Sequence, residues 1–594
     1  MSTRQPPAYF SSVRDRTRQR WVQLEGDPEL AGPWKQLFGQ VQSPLHVVSE
    51  LLQNADDAGA RRVRVSMSDG QFLFEHDGKD FDEEEFASLC RFGFSSKRNL
   101  HTIGFRGVGF KSTFSLGEAV EVLTPSLAVR FHKRRFTEPV WMADAPSCDV
   151  TRIAVRVKDP NREKELRKNL QEWVESPASL LFFNSIHELT IGDVTLCKRR
   201  IGPGPVAGSE KIRLIGREQH DVVVFASQEK SFPQEAMDEI RQERDVEELH
   251  LPPCRVELVV GLPGEQRLYV VLPTGVMLKM PFSCNAPFLQ DPARYSIKNP
   301  SLSPTNRWLL HRLGRLAGQA MLGWLQNWSL EPDVRAQAYC LLPDKPDEED
   351  SLEANATSAI CQGFAEAVGD QPILLTTAGQ LVDSGNCISP PRQAYAVWTP
   401  AQLLEVFGNG DEHVLSEAVA EECRRRLKSW NRLECLNQND LIERLAEGRR
   451  IPRPVENRNL LELWNVVQQS VRNDYGAVRR RRLAVVPVEG ADVLLQAENV
   501  VRLSTKRETV SDESWAFLVE LVHVIDRRWV QYLGAAKGDE KAVGAARQLL
   551  QDLNLERQRR QRRRRQRLSQ PVRSGAGIHQ GSRSHRPSHG RARR

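Results

Sequence analysis

Early in the chain, a stretch with one spacing of apolar residues is followed by stretches with another. Residues 42–59 carry apolar side chains at the spacing of one helix face, which predicts an amphipathic helix. Residues 61–67 and 71–76 instead alternate apolar and polar side chains with the period of a half-buried strand. Because Asp69-Gly70 stands between these two stretches, and this dipeptide is typical of tight turns, the pattern predicts a helix followed by a β-hairpin.

Helix and strand patterns continue to alternate up to about residue 200. A helix is predicted over 82–92, with acidic residues in its first turn, where they favour the helix dipole. A glycine-rich segment, 93–117, comes next, and strands are then predicted near 119–124, 128–132 and 151–157. The pattern predicts an α/β sandwich, in which helices cover one mixed sheet.

The length of 594 residues predicts several domains, and so do changes along the chain in the pattern of predicted helices and strands. Two stretches, 371–391 and 481–501, share the order apolar run, Gly turn, apolar run, and two copies leave open whether this is a degenerate repeat or a coincidence. The predicted regions are an N-terminal α/β sandwich (1–200), a second α/β domain (205–330), a mainly helical region with short β-hairpins (331–556) and an Arg-rich, largely disordered tail (557–594).

Charge divides the chain into two parts. Residues 557–594 contain 14 Arg and no Lys, Asp or Glu, so the net charge of +6 leaves −8 on the residues before them. The composition of the tail cannot bury a core, and its charge suits nonspecific binding of a nucleic acid or another polyanion. A solvated arm and an anionic protein partner are the alternatives. Base stacking is not indicated, because the tail has no aromatic residue.

Composition also narrows the class of protein. No stretch approaches the roughly 18 apolar residues that span a bilayer, and no apolar segment of a secretory signal follows the N-terminal charges. The 10 Cys residues are scattered without a C-x-x-C pair, which is typical of small core residues in a reducing compartment. A cytoplasmic protein without a membrane partner is therefore expected.

Three short motifs carry the candidate chemistry. ELLQNADDA places Glu50, Asn54 and Asp57 on one polar stripe of the predicted helix. HDGKDF (76–81) follows a predicted strand, and IGFRGVGFKS (103–112) holds closely spaced glycines, whose backbone N–H groups can approach phosphate oxygens. Alone, each motif fits a solvated face, a turn or a loop. Their occurrence together and in this order indicates a nucleotide site.

The three motifs together resemble the Bergerat, or GHKL, ATP-binding fold. That superfamily includes the ninety-kilodalton heat-shock chaperones, DNA gyrase B, MutL, MORC proteins and sensor histidine kinases. The wording ELLQNADDA, FEHDGKDF and GFSSK is most similar to the sacsin-type, chaperone-like branch. The motifs cover about residues 45–160, and MPFSCNAPFLQDPARYSI (280–297) extends the resemblance into a second, transducer-like domain. The resemblance implies an ATPase that uses ATP and Mg²⁺.

The resemblance also implies roles for single residues. Glu50 would be the general base that orients and deprotonates the attacking water, and Asn54 would give its amide oxygen to Mg²⁺. Asp57 would face the same pocket. A cation from the second domain would reach the γ-phosphate, with Arg294 as the candidate and Lys298 in reserve. The other implied contacts are the lid residues Gly104, Gly107, Gly109 and Phe110, the phosphate-binding cations Lys97 and Lys111, and Thr151 beside the adenine.

One position departs from the family pattern. The adenine-reading carboxylate normally stands two residues before the first Gly of the second motif, which here is Gly78. That position is His76, and the acidic residue, Asp77, comes one residue later. Adjacent strand residues point to opposite faces, so Asp77 reaches the base only if the strand ends before it. Either the loop register shifts or the base is recognised differently.

The predicted function is an ATP-binding and ATP-hydrolysing, chaperone-like conformational switch. Lid closure over the nucleotide would be coupled to a protein or nucleic-acid partner, and the resemblance implies a homodimer that forms with ATP. The alternative is a nucleotide-gated binding protein with little turnover, whose basic tail binds DNA or RNA, with defence against phage as a role suggested by analogy. A histidine kinase and a type II topoisomerase are disfavoured, since their phosphoacceptor hairpin and cleavage Tyr module are not recognisable.

Overall fold

The computed structural model describes residues 4–27, 29, 46–91, 109–244, 251–291, 295–346, 348–470, 482–501, 512–535 and 542–551. The chain divides into two compact units, of which the first comprises Met1–Cys387 with Leu415–Glu434 and the second Ile388–Val414 with Cys435–Arg594. Each unit has its own apolar core. Within the described ranges, no helix is both long and apolar enough to cross a membrane.

Several helices begin where the sequence supplies a capping side chain. At the helix that starts with Glu83, the Asp82 carboxylate accepts from the Glu85 N–H at 2.9 Å, and Glu85 accepts in return from the Asp82 N–H at 3.0 Å. In chain order the helices are α1 (Phe10–Gly26), α2 (Val47–Asp57), α3 (Glu83–Leu89), α4 (Pro160–Glu175), α5 (Gln234–Arg244), α6 (Pro304–Leu325), α7 (Pro332–Ala336), α8 (Leu352–Val368), α9 (Arg392–Tyr395), α10 (Pro400–Phe407), α11 (Glu421–Ser429), α12 (Gln438–Ala446), α13 (Asn457–Ser470), α14 (Asp512–Leu521) and α15 (Arg527–Ala535).

Strands dominate the first half of the chain. They are β1 (Arg62–Ser68), β2 (Gln71–His76), β3 (Ala119–Leu123), β4 (Ala128–His132), β5 (Arg135–Trp141), β6 (Thr151–Arg156), β7 (Glu188–Ile191), β8 (Val194–Pro203), β9 (Ser209–Ile215), β10 (Gln219–Ala226), β11 (Glu257–Val260), β12 (Gln266–Val270), β13 (Leu272–Leu278), β14 (Ser283–Asn285), β15 (Leu374–Leu375), β16 (Leu381–Val382), β17 (Cys387–Ile388), β18 (His413–Val414), β19 (Ile451–Pro452), β20 (Ala484–Pro487) and β21 (Val493–Gln496).

One 14-stranded sheet runs through the first unit in the order β13-β12-β14-β11-β10-β9-β8-β7-β1-β2-β6-β3-β4-β5. Its strands pair antiparallel except at two junctions, β1 with β7 and β12 with β14, which are parallel. The sheet is therefore mixed, and helices pack against it. This confirms the predicted α/β fold class, whereas the predicted domain boundaries stay a prediction.

The first hairpin forms where the sequence predicts it. β1 and β2 pair antiparallel with Ser68 opposite Gln71, and the two residues between them, Asp69 and Gly70, have φ values of 50° and 70°. Both turn residues thus lie in the left-handed region, which Gly adopts without strain and Asp tolerates better than most residues. The sequence did not predict the strands of residues 188–226, which join the first strands of the sheet to those of residues 257–285.

The second unit is mainly helical, as predicted, and it contains a small three-stranded sheet in the order β19-β21-β20. Its core includes Trp464 and Trp529, whose ring centres lie 5.0 Å apart. The two stretches with similar sequence each form a short antiparallel hairpin, one in each unit. Gly379 and Gly490 stand in their turns with φ values of 76° and 73°, so the shared sequence order gives the same local structure.

Two glycines allow α6 and α8 of the first unit to pack closely. A Cβ on Gly314 would overlap the backbone carbonyl of Ile360, and a Cβ on Gly363 would overlap that of His311. The two helices therefore touch through their backbones, because neither glycine has a side chain to hold them apart.

We expect Gly363→Ala to lower the free energy of unfolding by about 1–3 kcal/mol, since the added methyl group meets backbone that cannot move aside locally. The measurement is denaturant unfolding followed by far-ultraviolet circular dichroism. Gly323→Ala, also on α6, is the matched control. Its Cβ would lie at an ordinary 3.4 Å from Val206, so this variant should be neutral or up to about 1 kcal/mol more stable. Equal losses in both variants would contradict the close packing.

Candidate functional site

The polar stripe of the first motif lies on α2. The apolar residues of α2 are buried, and α2 contacts the 3₁₀ helix Gly109–Ser115. Glu50, in the first turn, is only 8% exposed, whereas Asn54 is half-buried and Asp57 is exposed at the C-terminal end. Exposure of the polar side chains thus increases from Glu50 to Asp57. This gradient is consistent with a helix that forms one wall of an open site.

The second motif meets the end of this helix. The Lys79 N–H donates to the Ala58 carbonyl, just past the end of α2, at 2.8 Å. A Cβ on Gly78 would lie 2.9 Å from the same carbonyl oxygen and 3.0 Å from the Ala58 methyl group. Gly78 is therefore required by the close approach of two backbones. This contact brings the first two motifs together.

Asp77 turns to the beginning of β1. Its carboxylate accepts from the N–H groups of Arg61 and Arg62 at 2.8 and 2.9 Å and from the Arg62 guanidinium at 3.1 Å. Burial alone would raise the pKa of Asp77, but the hydrogen bonds from Arg62 and Arg61 outweigh it and hold the pKa below its usual value. The Asp77 carboxylate therefore joins the end of β2 to the start of β1, and its hydrogen bonds hold it there.

His76 is the last residue of β2 and is only 7% exposed. Its Nδ1 accepts from the Gly78 N–H at 3.1 Å. Burial lowers the pKa of His76 to about 4, against the opposing effect of Asp77, so the ring is neutral at pH 7. At the position of the family's carboxylate, the structure therefore places a neutral imidazole.

Thr151 lies directly beside this histidine. It opens β6 opposite His76 in the β2–β6 register, so both side chains stand on the same face of the sheet. Thr151 is 1% exposed, and its hydroxyl oxygen has no hydrogen-bond partner within the described part of the chain. Most buried side-chain polar atoms in folded proteins have a hydrogen-bond partner, so the Thr151 hydroxyl is an exception.

The predicted lid and phosphate contacts are only partly described. Gly109 begins the 3₁₀ helix, and the Phe110 ring packs against Phe131 in the core. Lys111 is also buried, with its ammonium group bonded to the Leu89 carbonyl, and burial lowers its pKa to about 8. A phosphate contact would need Lys111 to leave this core position. Three other predicted residues lie outside the described ranges: Lys97, Gly104 and Gly107.

Arg294 also lies outside the described ranges, but the residues on either side of it are described. Asp291 accepts from the N–H groups of Tyr295 and Ser296 at 3.0 and 3.2 Å. The reserve candidate, Lys298, forms an ion pair with Glu243. Lys298 is therefore neutralised locally in this arrangement.

One long-range contact of the first motif was not predicted from the sequence. Asp56 accepts from the N–H groups of Asn184, Ser185 and Ile186 at 3.0, 2.7 and 3.0 Å, and so ties α2 to the segment before β7. The signal was present, because Asp56 follows Leu52 by four residues and thus falls on the apolar face of the helix. A carboxylate on a buried face needs such donors.

Comparison with known families agrees with this geometry. Residues 42–142 match the sequence model of the family described as histidine kinase-, DNA gyrase B-, and HSP90-like ATPase. The matched residues, about a sixth of the chain, include α2, the His76–Gly78 turn and the 3₁₀ helix. They carry an ATPase domain of the GHKL superfamily, so the resemblance is confirmed at the level of the superfamily.

Curated proteins that are similar to part of the chain include DNA mismatch repair proteins MutL. The chain is 31% identical over 148 residues to MutL of Chlorobium phaeovibrioides, which covers 22% of this chain and 24% of that protein. It is 35% identical over 85 residues to MutL of Rhodospirillum rubrum, which covers 13% of this chain and 14% of that protein. The chain thus matches about a quarter or less of the length of these relatives.

We expect the buried neutral His76 to make the fold sensitive to acid. Its pKa is about 4 when folded and about 6.5 when unfolded, so the unfolded state binds an additional proton between these values. Stability should therefore fall as the pH drops from 6.5 to 4, by about 3 kcal/mol in all from this group. Unfolding measured across this window should show a shallower loss in His76→Phe than in the wild type.

The control for this comparison is His132→Phe, which makes the same change on the exposed end of β4. It should keep the pH dependence of the wild type. An equally steep loss in His76→Phe would show that the acid sensitivity arises elsewhere.

Proposed function

We propose that the chain is an ATP-hydrolysing conformational switch whose reaction is carried by Glu50. The observation that supports this most directly is the contact between the first two sequence motifs, inside the region that matches the ATPase family. The end of α2 contacts the turn at Gly78, and Thr151, with its buried hydroxyl, lies opposite His76 in the β2–β6 register. A junction of two polar motifs beside a buried hydroxyl suits a nucleotide.

Glu50 has the properties of a general base. Its carboxylate is almost fully buried on the polar stripe of α2, where it can hold a water away from bulk solvent. The water gives its proton to Glu50 while its oxygen attacks the γ-phosphorus, and the bond to the β-phosphate oxygen breaks with ADP as the leaving group. Positioning of the water and neutralisation of phosphate charge supply most of the acceleration in such reactions.

Asn54 is the proposed protein ligand of Mg²⁺. It stands one helical turn after Glu50, and its amide oxygen is a suitable hard donor for this ion. Within the described ranges, no group of three or more His, Cys, Asp or Glu side chains could hold a metal. Asn54 would therefore share the ion with phosphate oxygens and water, and bound Mg²⁺ would neutralise charge on the phosphates.

The lid and the second-domain cation complete the proposal. Gly104, Gly107 and Gly109 would close over the phosphates, with Lys97 as a counter-charge. Arg294 would approach the γ-phosphate from the second domain. Ordering of these parts by the nucleotide would convert binding and hydrolysis into a change of conformation.

We expect Glu50→Gln to lower the rate of ATP hydrolysis by about 10²–10⁴-fold while ATP binding is kept, because the amide cannot take the proton of water. Phosphate release and equilibrium binding of ATP are the two measurements. Glu84→Gln makes the same change at an exposed position of α3 and should behave like the wild type. Hydrolysis at the wild-type rate in Glu50→Gln would exclude this mechanism, and binding without any turnover in the wild type would favour the nucleotide-gated alternative.

The partner is proposed to be DNA, bound through the basic tail. The tail carries 14 Arg without an acidic residue, and the similar curated proteins are named as DNA mismatch repair proteins. Homodimer formation with ATP is proposed on the resemblance to the superfamily alone. The similarity to the sacsin-type, chaperone-like branch rests on the sequences of the motifs alone. A protein client is therefore the second proposal for the partner.

We expect DNA affinity to fall about 10³-fold or more between 50 and 200 mM salt, as for a protein that neutralises several phosphates. A variant truncated after Glu556 should lose most of this affinity and of its salt dependence. Replacing every Arg of the tail by Lys keeps the charge and is the matched control, which should preserve the salt dependence. Unchanged DNA binding after truncation would contradict the role of the tail.

A further inference from the structure

A cavity of about 390 Å³ lies within the first unit, and its lining contains none of the residues assigned to the nucleotide. Its walls come from the segment before β7, from residues 252–257, from the turn between β12 and β13, and from the end of β14. Cavities that hold small molecules in proteins measure about 300–1,000 Å³. The space therefore suits a small ligand rather than a segment of a macromolecule.

One side of this cavity is apolar and well packed. Phe182 is 6% exposed, and the centre of its ring lies 4.9 Å from that of Tyr269. Val270, Ala286 and Pro287 also line the cavity and are buried. An apolar group of a ligand would leave water on contact with this surface, which stabilises the complex.

Val271, which also lines the cavity, has an unusual backbone conformation. Its φ of 63° lies in the left-handed region, which β-branched residues rarely adopt. The turn maintains this conformation, because Val270 pairs with Leu272 and the Val271 N–H donates to the side-chain oxygen of Asn285 at 2.9 Å. Strained backbone of this kind is concentrated at ligand-binding and catalytic sites. Val271 therefore supports a binding role for the cavity independently of its size.

Three charged side chains line the cavity, and two of them neutralise each other. The Glu257 carboxylate lies 3.2 Å from Arg255 Nε and accepts from the Asn285 amide at 2.8 Å. The third, Glu229, is exposed, and its carboxylate forms no ion pair within the described part of the chain. The three charges sum to −1, and the unpaired one is a carboxylate. The cavity therefore favours a cationic ligand over an anionic one.

The backbone that carries these polar groups is fixed. Lys230, the residue after Glu229, exchanges two backbone hydrogen bonds with Cys254, at 2.9 and 3.0 Å. Asn184, which also lines the cavity, donates its backbone N–H to Asp56 at 3.0 Å. The side-chain oxygens of Glu229 and Asn184 can both accept hydrogen bonds. The lining thus combines two acceptors with an apolar surface.

We propose that this cavity binds a small organic amine, whose ammonium group pairs with Glu229 and whose apolar part packs against Phe182 and Pro287. An ammonium group has three donors and no acceptor, so a free carboxylate and the Asn184 amide oxygen are suitable partners. A metal ion fits less well, because Ca²⁺ takes about six to eight oxygen ligands and Glu257 is already paired. The proposal does not depend on ATP binding.

The test uses the full chain without nucleotide and three probes of similar shape that differ in charge: 2-phenylethylamine, 2-phenylethanol and 3-phenylpropionate. Dissociation constants are measured by isothermal titration calorimetry at neutral pH and low salt. The amine should bind about 5-fold or more tightly than the alcohol, since a hydrogen bond to a charged group contributes more than a neutral one. The carboxylate probe should bind most weakly, and added salt should reduce these differences.

Two variants assign the binding to the cavity. Glu229→Gln removes the unpaired charge, so the amine and the alcohol should bind within about 2-fold of each other. Glu265→Gln makes the same change at an exposed position outside the lining and should keep the wild-type preference. Ala286→Leu fills part of the cavity and should weaken the amine and the alcohol alike, by about 10-fold. Thermal unfolding checks each fold, and the comparison of wild type with Glu229→Gln tests the proposal even if Ala286→Leu is unfolded.

Three results would overturn the proposal. The wild type could bind all three probes equally, which would exclude selection by charge. The preference for the amine could persist in Glu229→Gln, which would place the amine elsewhere. No probe could bind at up to about 10 mM, a weak limit even for ligands of this size. None of these results bears on ATP binding or hydrolysis, so the proposed function is tested separately.

Discussion

The close approach of the Gly78 backbone to the Ala58 carbonyl is the constraint on which the candidate site depends. Without a side chain at Gly78, the end of β2 can pack directly against the end of α2. This contact joins the C-terminal end of α2 to the turn after His76, and the β2–β6 register places Thr151 opposite His76. Asp77 secures the same junction from the other side by binding the backbone of β1. The site is thus built from the ends of one helix and three strands.

A second set of polar contacts links this junction to the rest of the large sheet. Asp56, on α2, binds three N–H groups of residues 184–186. Lys198, on β8, bonds to the Phe183 carbonyl within the same segment. Burial lowers the pKa of Lys198 to about 8, while the charges of Asp56 and Glu257 act in the opposite direction. Glu257 lies on β11, so the charges that act on Lys198 come from both α2 and the later strands.

Much of the local structure and the class of site could be predicted from the sequence. The period of the apolar residues predicted α2, and Asp69-Gly70 predicted the hairpin, because both depend on interactions within a few residues. The three motifs predicted the superfamily of the ATPase domain, which the family match confirms. The strands of residues 188–226 escaped prediction, since their burial depends on partners in the sheet.

The sequence by itself thus determined the helices, the first turn, the acidic body with its basic tail, and the identity of the residues at the site. Only the tertiary structure decided what those residues contact. It gave Asp56 donors more than 120 residues away, buried Lys111 against the Leu89 carbonyl, and engaged Asp77 at β1. It also paired the Nδ1 of His76 with the Gly78 N–H. The physical reason is that hydrogen bonding and burial depend on neighbours in space, which the local pattern of a chain does not specify.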